Sequence, residues 1–124
     1  MSALCDKILA MDKRIGFAMI ANLDGEIVES RMLGTPLMSK EAVAGFAGSW
    51  AAIIQGIALQ METYFGKAEI LSLGYEKLNV HGFKVQDRIV VITTRKDVPL
   101  EIVLGVKKTL QTQPAYASLS RARV

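Results

Sequence analysis

The chain has 124 residues, 15 Lys and Arg against 12 Asp and Glu for a formal net charge of +3, and 51% apolar residues that include only four Phe, three Tyr and one Trp. This length fits one domain with one core, the composition excludes a disordered chain, and the weak, dispersed basicity makes no electrostatic case for nucleic acid. A lone cysteine, Cys5, forms no internal disulfide and points to a reducing, cytoplasmic compartment, and with Asp6, Lys7, Asp12, Lys13 and Arg14 and no long apolar run, no secretory signal is expected in the first thirty residues.

In chain order, Leu4, Cys5, Ile8, Leu9 and Met11 follow helical spacing and predict a short first helix ending near Lys13. The period then changes to two. Residues 15–23 and 26–33 read as extended runs joined at Asp24-Gly25, a strong hairpin signal. The first run is apolar on both faces, as a central strand would be, and the second alternates with Glu29 and Arg31 and reads as half exposed.

Residues 42–61 contain no charge, a length that could span a bilayer. Gln55 and Gln60 inside the run, its Gly and Ala content, and the lack of flanking aromatic belts favour a soluble helix over 39–65 instead. Ser39 is its predicted N-cap with Met38 as a staple and Glu41 in the first turn, and Gly66 its end. Val43, Phe46, Ala47, Trp50, Ile53, Ile54, Ile57, Met61, Tyr64 and Phe65 form a broad apolar face for a sheet. A second stripe of Gly45, Gly48, Ala52, Gly56 and Leu59 runs along the other side, and a helix apolar all round needs two partners.

Beyond Gly66, strands are predicted at 68–75, 77–84 and 88–95, with turns at Glu76-Lys77 and Gln86-Asp87 and the β-branched last strand beside the first. Asp97 is the expected cap of a final helix, with Pro99 in its first turn and Leu100, Val103, Leu104, Val106 and Leu110 as its core stripe. Residues 113–124 read as a mobile tail on a single domain of residues 1–112.

Few residues carry chemistry. His81 is the only histidine and is expected on a solvent-facing strand position or a polar rim. One Cys and one His supply no metal-ligand pair, and no phosphate-cradling glycine motif or nucleophile elbow appears, so neither cofactor, metal nor catalytic residues are expected. Asp24, Glu26 and Glu29 read as solvated hairpin carboxylates. Lys107 and Lys108 suit a helix C-terminus, and Arg121 and Arg123 are slight evidence for an anionic partner. If the terminal helices cover one sheet face, the long helix stands alone on the other, and its small-residue stripe is best covered by a second copy of itself.

The order of helix, Asp-Gly hairpin, long helix, three-stranded meander and final helix resembles the Roadblock family of dynein light-chain and GTPase-regulator domains across residues 2–111. The resemblance is carried by ANLDGEIVES, by the helix over 39–65 and by RIVVITTR with its following helix; the opening CDKILAMDKRIGFAMI is also similar to short archaeal proteins of this layout. It implies an α+β sandwich, α-ββ-α-βββ-α, whose five-stranded antiparallel sheet has the long helix on one face and the terminal helices on the other. It implies a homodimer through the long helix and the 68–75 edge strand, placing Gly45, Gly48, Ala52, Gln55, Gly56, Leu59, Ile70 and Ser72 at the seam. It further implies a non-enzymatic scaffold for a small Ras-like GTPase or another protein, although no residue here carries over as a GTPase contact. The alternative is a small-molecule sensor of profilin-like or PAS-like fold, recognisable by a cavity near Trp50 and Phe46.

Overall fold

Two strands that are apolar on both faces must be covered on both, and that requirement organises the molecule. In the computed structural model, which describes residues 3–34, 37–114 and 116, β1 (Ile15–Asn22) and β5 (Arg88–Thr94) lie side by side at the centre of one sheet. The order is β2-β1-β5-β4-β3, with β2 at Ile27–Met32, β3 at Leu71–Gly74 and β4 at Asn79–Val85, every neighbour antiparallel. Register pairs Met19 with Val91 and Phe83 with Val90. The edge strand β3 is half the predicted length.

Side chains of the central strands alternate between two cores. Ala18, Ile20, Phe83, Val85, Val90 and Ile92 face α1 (Ala3–Met11) and α4 (Leu100–Gln111), whereas Phe17, Met19, Ala21, Val80, Ile89 and Val91 face α2 (Lys40–Ile53). The layering therefore matches the sandwich expected from the sequence. Among the described residues no helix is long and apolar enough to cross a membrane.

Local chemistry sets the element ends. The Ser39 hydroxyl accepts from Ala42 N–H at 3.1 Å, as a helix N-cap should. Gly25 takes φ 92° in the β1–β2 turn, and the Asp24 carboxylate accepts from Glu26 N–H at 2.9 Å. The final helix begins differently from the expectation: Pro99, not Asp97, is the N-cap, and Asp97 instead lies 3.7 Å from the Arg14 guanidinium. Of the predicted α4 stripe, Val103, Val106 and Leu110 are buried while Leu100 is exposed.

The long helix is not continuous. It passes from α2 into a π-helical segment, Ile54–Ala58, and resumes only as the single turn α3, Glu62–Phe65, closed by Gly66 at φ 85°. A π turn adds one residue per turn and rotates all that follows by about 100° relative to an unbroken α-helix. The predicted sheet-facing stripe thus holds as far as Ile54 and then fails: Ile57 is 66%, Tyr64 76% and Phe65 80% exposed.

One residue of the stretch expected as a mobile tail is seen packed against the domain. Tyr116 is fully buried in the α4-side core, and its hydroxyl donates to the Val85 carbonyl at 2.8 Å. Residues 117–124, including Arg121 and Arg123, lie outside the described residues.

Candidate interaction surface and cleft

On the α2 face, the helix is held at its middle. Trp50 is the wedge: a Cβ built on Gly82 of β4 would come within 2.5 Å of its ring, so glycine there makes room for the indole. Phe46 packs edgewise on Phe17 at 6.2 Å between centroids and against Trp50 at 6.1 Å. The β1–β2 turn approaches the helix as closely, since a Cβ on Gly25 would meet Gly48 Cα at 2.8 Å. The Gln55 side-chain amide donates to the Leu23 carbonyl just before that turn.

The outer side of the helix is exposed, apart from the β1–β2 turn beside Gly48 and Gln55. Gly45, Gly48, Ala52, Gln55 and Gly56 are all exposed, and a Cβ on Gly45, Gly48 or Gly56 would meet nothing within 4 Å. Leu59 is half-buried and packs toward the α2-side core, Ile70 packs instead against the α4-side core, and Ser72 is an exposed residue of β3. The structure therefore gathers five of the eight predicted seam residues on one outer surface and leaves Ile70 away from it.

Two polar residues sit differently from their sequence reading. His81 is buried at 5% exposure rather than facing solvent, its Nδ1 2.7 Å from Ser72 Oγ and its Nε2 3.1 Å from Thr94 Oγ1. Burial lowers its pKa below the ordinary imidazole value. Glu29, read as solvated, is also buried and accepts from Leu4 and Cys5 N–H at 3.1 and 3.0 Å, capping α1 from 24 residues away in sequence. Burial, with Glu29 beside it, pushes the Cys5 thiol well above its usual range, which keeps it protonated. Arg88, not singled out in the sequence, is buried with Nε donating to Asn22 Oδ1 at 3.0 Å.

Neither His81 nor Glu29 makes a catalytic set. His81 has hydroxyls on both sides and, among the described residues, no carboxylate bonded to it, while both amides that donate to Glu29 belong to a helix start. Among the described residues no group of three or more His, Cys, Asp or Glu is placed to hold a metal ion.

A cleft of about 600 Å³ opens where α2 begins, at the end of the sheet formed by the start of β1 and the ends of β2 and β5. Phe17, Met32, Phe46, Leu78 and Val80 give it mostly apolar walls, and Lys13, Arg14, Lys77 and Arg95 line it with positive charge. Nothing in the sequence marks it, because its walls come from five separate stretches and each apolar residue reads equally well as core.

No protein-family model matches the sequence, nor does any curated protein at a significant level. Solved structures do. MglB in a tetrameric arrangement superposes with a TM-score of 0.76 at 13% identity, covering 98% of this chain and 88% of that one. A Roadblock/LC7 domain from Streptomyces avermitilis gives 0.75 at 9% identity over 97% and 98% of the two chains. Acanthamoeba castellanii profilin II is similar at a lower TM-score of 0.60, with 12% identity over 87% and 90%. These likenesses establish the fold of the chain.

Proposed function

We propose that this chain, which has the Roadblock/LC7 fold, is a non-catalytic cytoplasmic interaction domain that pairs with a second copy through the outer side of α2. The glycines of that side carry the reading. Gly inside a helix costs about 1 kcal/mol relative to Ala. Among the described residues no neighbour fills the space that a methyl group would take at Gly45, Gly48 or Gly56. Close approach of another helix supplies the missing reason. Ile57, Tyr64 and Phe65 beyond it are exposed as well, and residues 42–61 are uncharged, as suits the buried centre of an interface. The β3 edge, hydrogen-bonded only to β4 among the described strands, would extend the seam along its unpaired backbone, the Ser72 hydroxyl being turned to His81. A tetrameric arrangement is recorded for the MglB that shares the fold, which is consistent with self-association of such domains.

The pair so formed would present a continuous surface to a further protein, and a small Ras-like GTPase is the partner class we favour. Sedimentation should give the wild type twice the 13.5 kDa chain mass. Gly48→Glu with Ala52→Glu, both at exposed positions, should sediment as folded monomer; an unaltered dimer, or a wild-type monomer at high concentration, would overturn the reading. Capture from native lysate on the wild type but not on that monomeric variant, with a small GTPase among the differences, tests the partner class.

A further inference from the structure

The cleft at the start of α2 goes beyond the pairing reading and stands independently of it. Its volume of about 600 Å³ falls inside the roughly 300–1,000 Å³ range of small-molecule sites. Two properties define what would fit. Its walls are mostly apolar, and they reach the mouth, where Leu33 is 48% and Leu37 77% exposed. Its rim is cationic, and among the described residues no carboxylate lines it. Arg14 is already committed, paired with Asp12 at 2.9 Å and Asp97 at 3.7 Å. Lys13, Lys77 and Arg95 are exposed, and none of the three is within ion-pair distance of a described carboxylate. Three like charges around one apolar mouth repel each other, and an anion with an aliphatic tail relieves that repulsion while filling the cleft.

We propose that this cleft binds a monomeric single-chain amphiphile with an anionic head, a long-chain carboxylate, its tail between Phe17, Phe46 and Val80 and its head at Lys13, Lys77 and Arg95. A neutral ligand of the same length would leave the rim unpaired, and a short anion would leave the walls wet.

The test uses delipidated full-length protein and cis-parinaric acid as a fluorescent reporter, displaced by saturated carboxylates of eight to fourteen carbons below their micelle concentrations. Saturable one-to-one binding is expected, tightening about fourfold per added methylene until the cleft is full. The matching alcohols should displace at least tenfold less well. Lys13→Ser, Lys77→Ser and Arg95→Ser together, all at exposed positions, should weaken the carboxylate at least tenfold and leave the alcohol unchanged. Thr93→Trp, which places an indole in the cleft, should abolish binding with circular dichroism and sedimented mass unchanged. A flat chain-length series, equal binding of alcohol and carboxylate, or undiminished binding to Thr93→Trp would each overturn the proposal. So would reporter binding that appears only on dilution together with an altered mass for Thr93→Trp, which would assign the cleft to a second copy of the chain.

Discussion

The two faces of the sheet are covered by very different means. On one face α1 and α4 lie side by side, and polar side chains fasten them: Glu29 caps the first turn of α1, and Tyr116 beyond α4 donates to Val85 in the sheet. On the other, a single helix meets the sheet, through Phe46, Ala47, Trp50 and Ala51 of α2 and Ile54 at the start of the π segment. Geometry explains the contrast. Five strands spaced about 4.8 Å apart span roughly 19 Å, while one helix is about 10 Å across. Two helices close such a face and one cannot. The lone helix therefore leaves a cleft near its start, and beyond its π segment Tyr64 and Phe65 stand in solvent, so both candidate binding regions belong to the under-covered face.

The largest test of this contrast removes the one strong attachment on the open face. Trp50→Ala should cost about 3–5 kcal/mol, because the indole is the main contact between α2 and the sheet and no second helix compensates. Gly82→Ala should cost about 1–3 kcal/mol by driving a methyl group into the same ring, which sits 2.5 Å from where that carbon would lie. The two changes should be strongly non-additive: Gly82→Ala should be much milder beside Trp50→Ala than alone. Urea denaturation of the four proteins gives the cycle; simple additivity would mean that the helix is held elsewhere.

A smaller effect is expected on the closed face. Glu29→Ala removes the carboxylate oxygen that accepts from both Leu4 and Cys5 N–H at the start of α1 and should cost about 1–2 kcal/mol. Because α4 still covers its part of that face, the damage should stay local. Amide exchange should accelerate in residues 3–11 and remain slow in β1 and β5, whereas Trp50→Ala should accelerate exchange across α2. Equal acceleration on both faces would remove the distinction between them.

Much of this architecture was legible in the sequence, and the failures share a cause. The central strands, the Asp24-Gly25 turn, the Ser39 cap and the Gly66 stop are each written in one short stretch, where local chemistry decides the outcome. The π segment is not, since Ile54–Ala58 has ordinary helical spacing and departs from it where Gln55 reaches the Leu23 carbonyl, 32 residues away. Glu29, His81 and Tyr116 were misread for the same reason: a polar residue on an alternating strand, or in a segment without periodicity, looks solvated until a distant partner is known. The predicted seam lies between these cases. Its glycines were read from spacing, and the β1–β2 turn beside Gly48 is a neighbour that spacing could not reveal.

His81 gives the finest comparison between the faces, because it lies on the closed one and should betray itself through pH. In the neutral ring one nitrogen donates and the other accepts, which the hydroxyls of Ser72 and Thr94 satisfy by rotating. Those hydroxyls could equally accept from both nitrogens of a protonated ring, so hydrogen bonding does not oppose protonation; burial does. The folded pKa is thereby depressed below the unfolded value of about 6.5, and between the two the unfolded chain binds more protons. Stability from this source is complete above about pH 6.5 and is lost as pH falls through the folded pKa. Asp12, held at about 2 by hydrogen bonds from Arg14, titrates well below this window, and Cys5 and Tyr116, both raised by burial, titrate well above it. A comparison of urea midpoints at pH 7.5 and pH 5 thus isolates the histidine. The wild type should lose stability on acidification and His81→Gln should lose distinctly less; the same loss in both would show that the ring is already solvated, and that this face is less closed than its packing suggests.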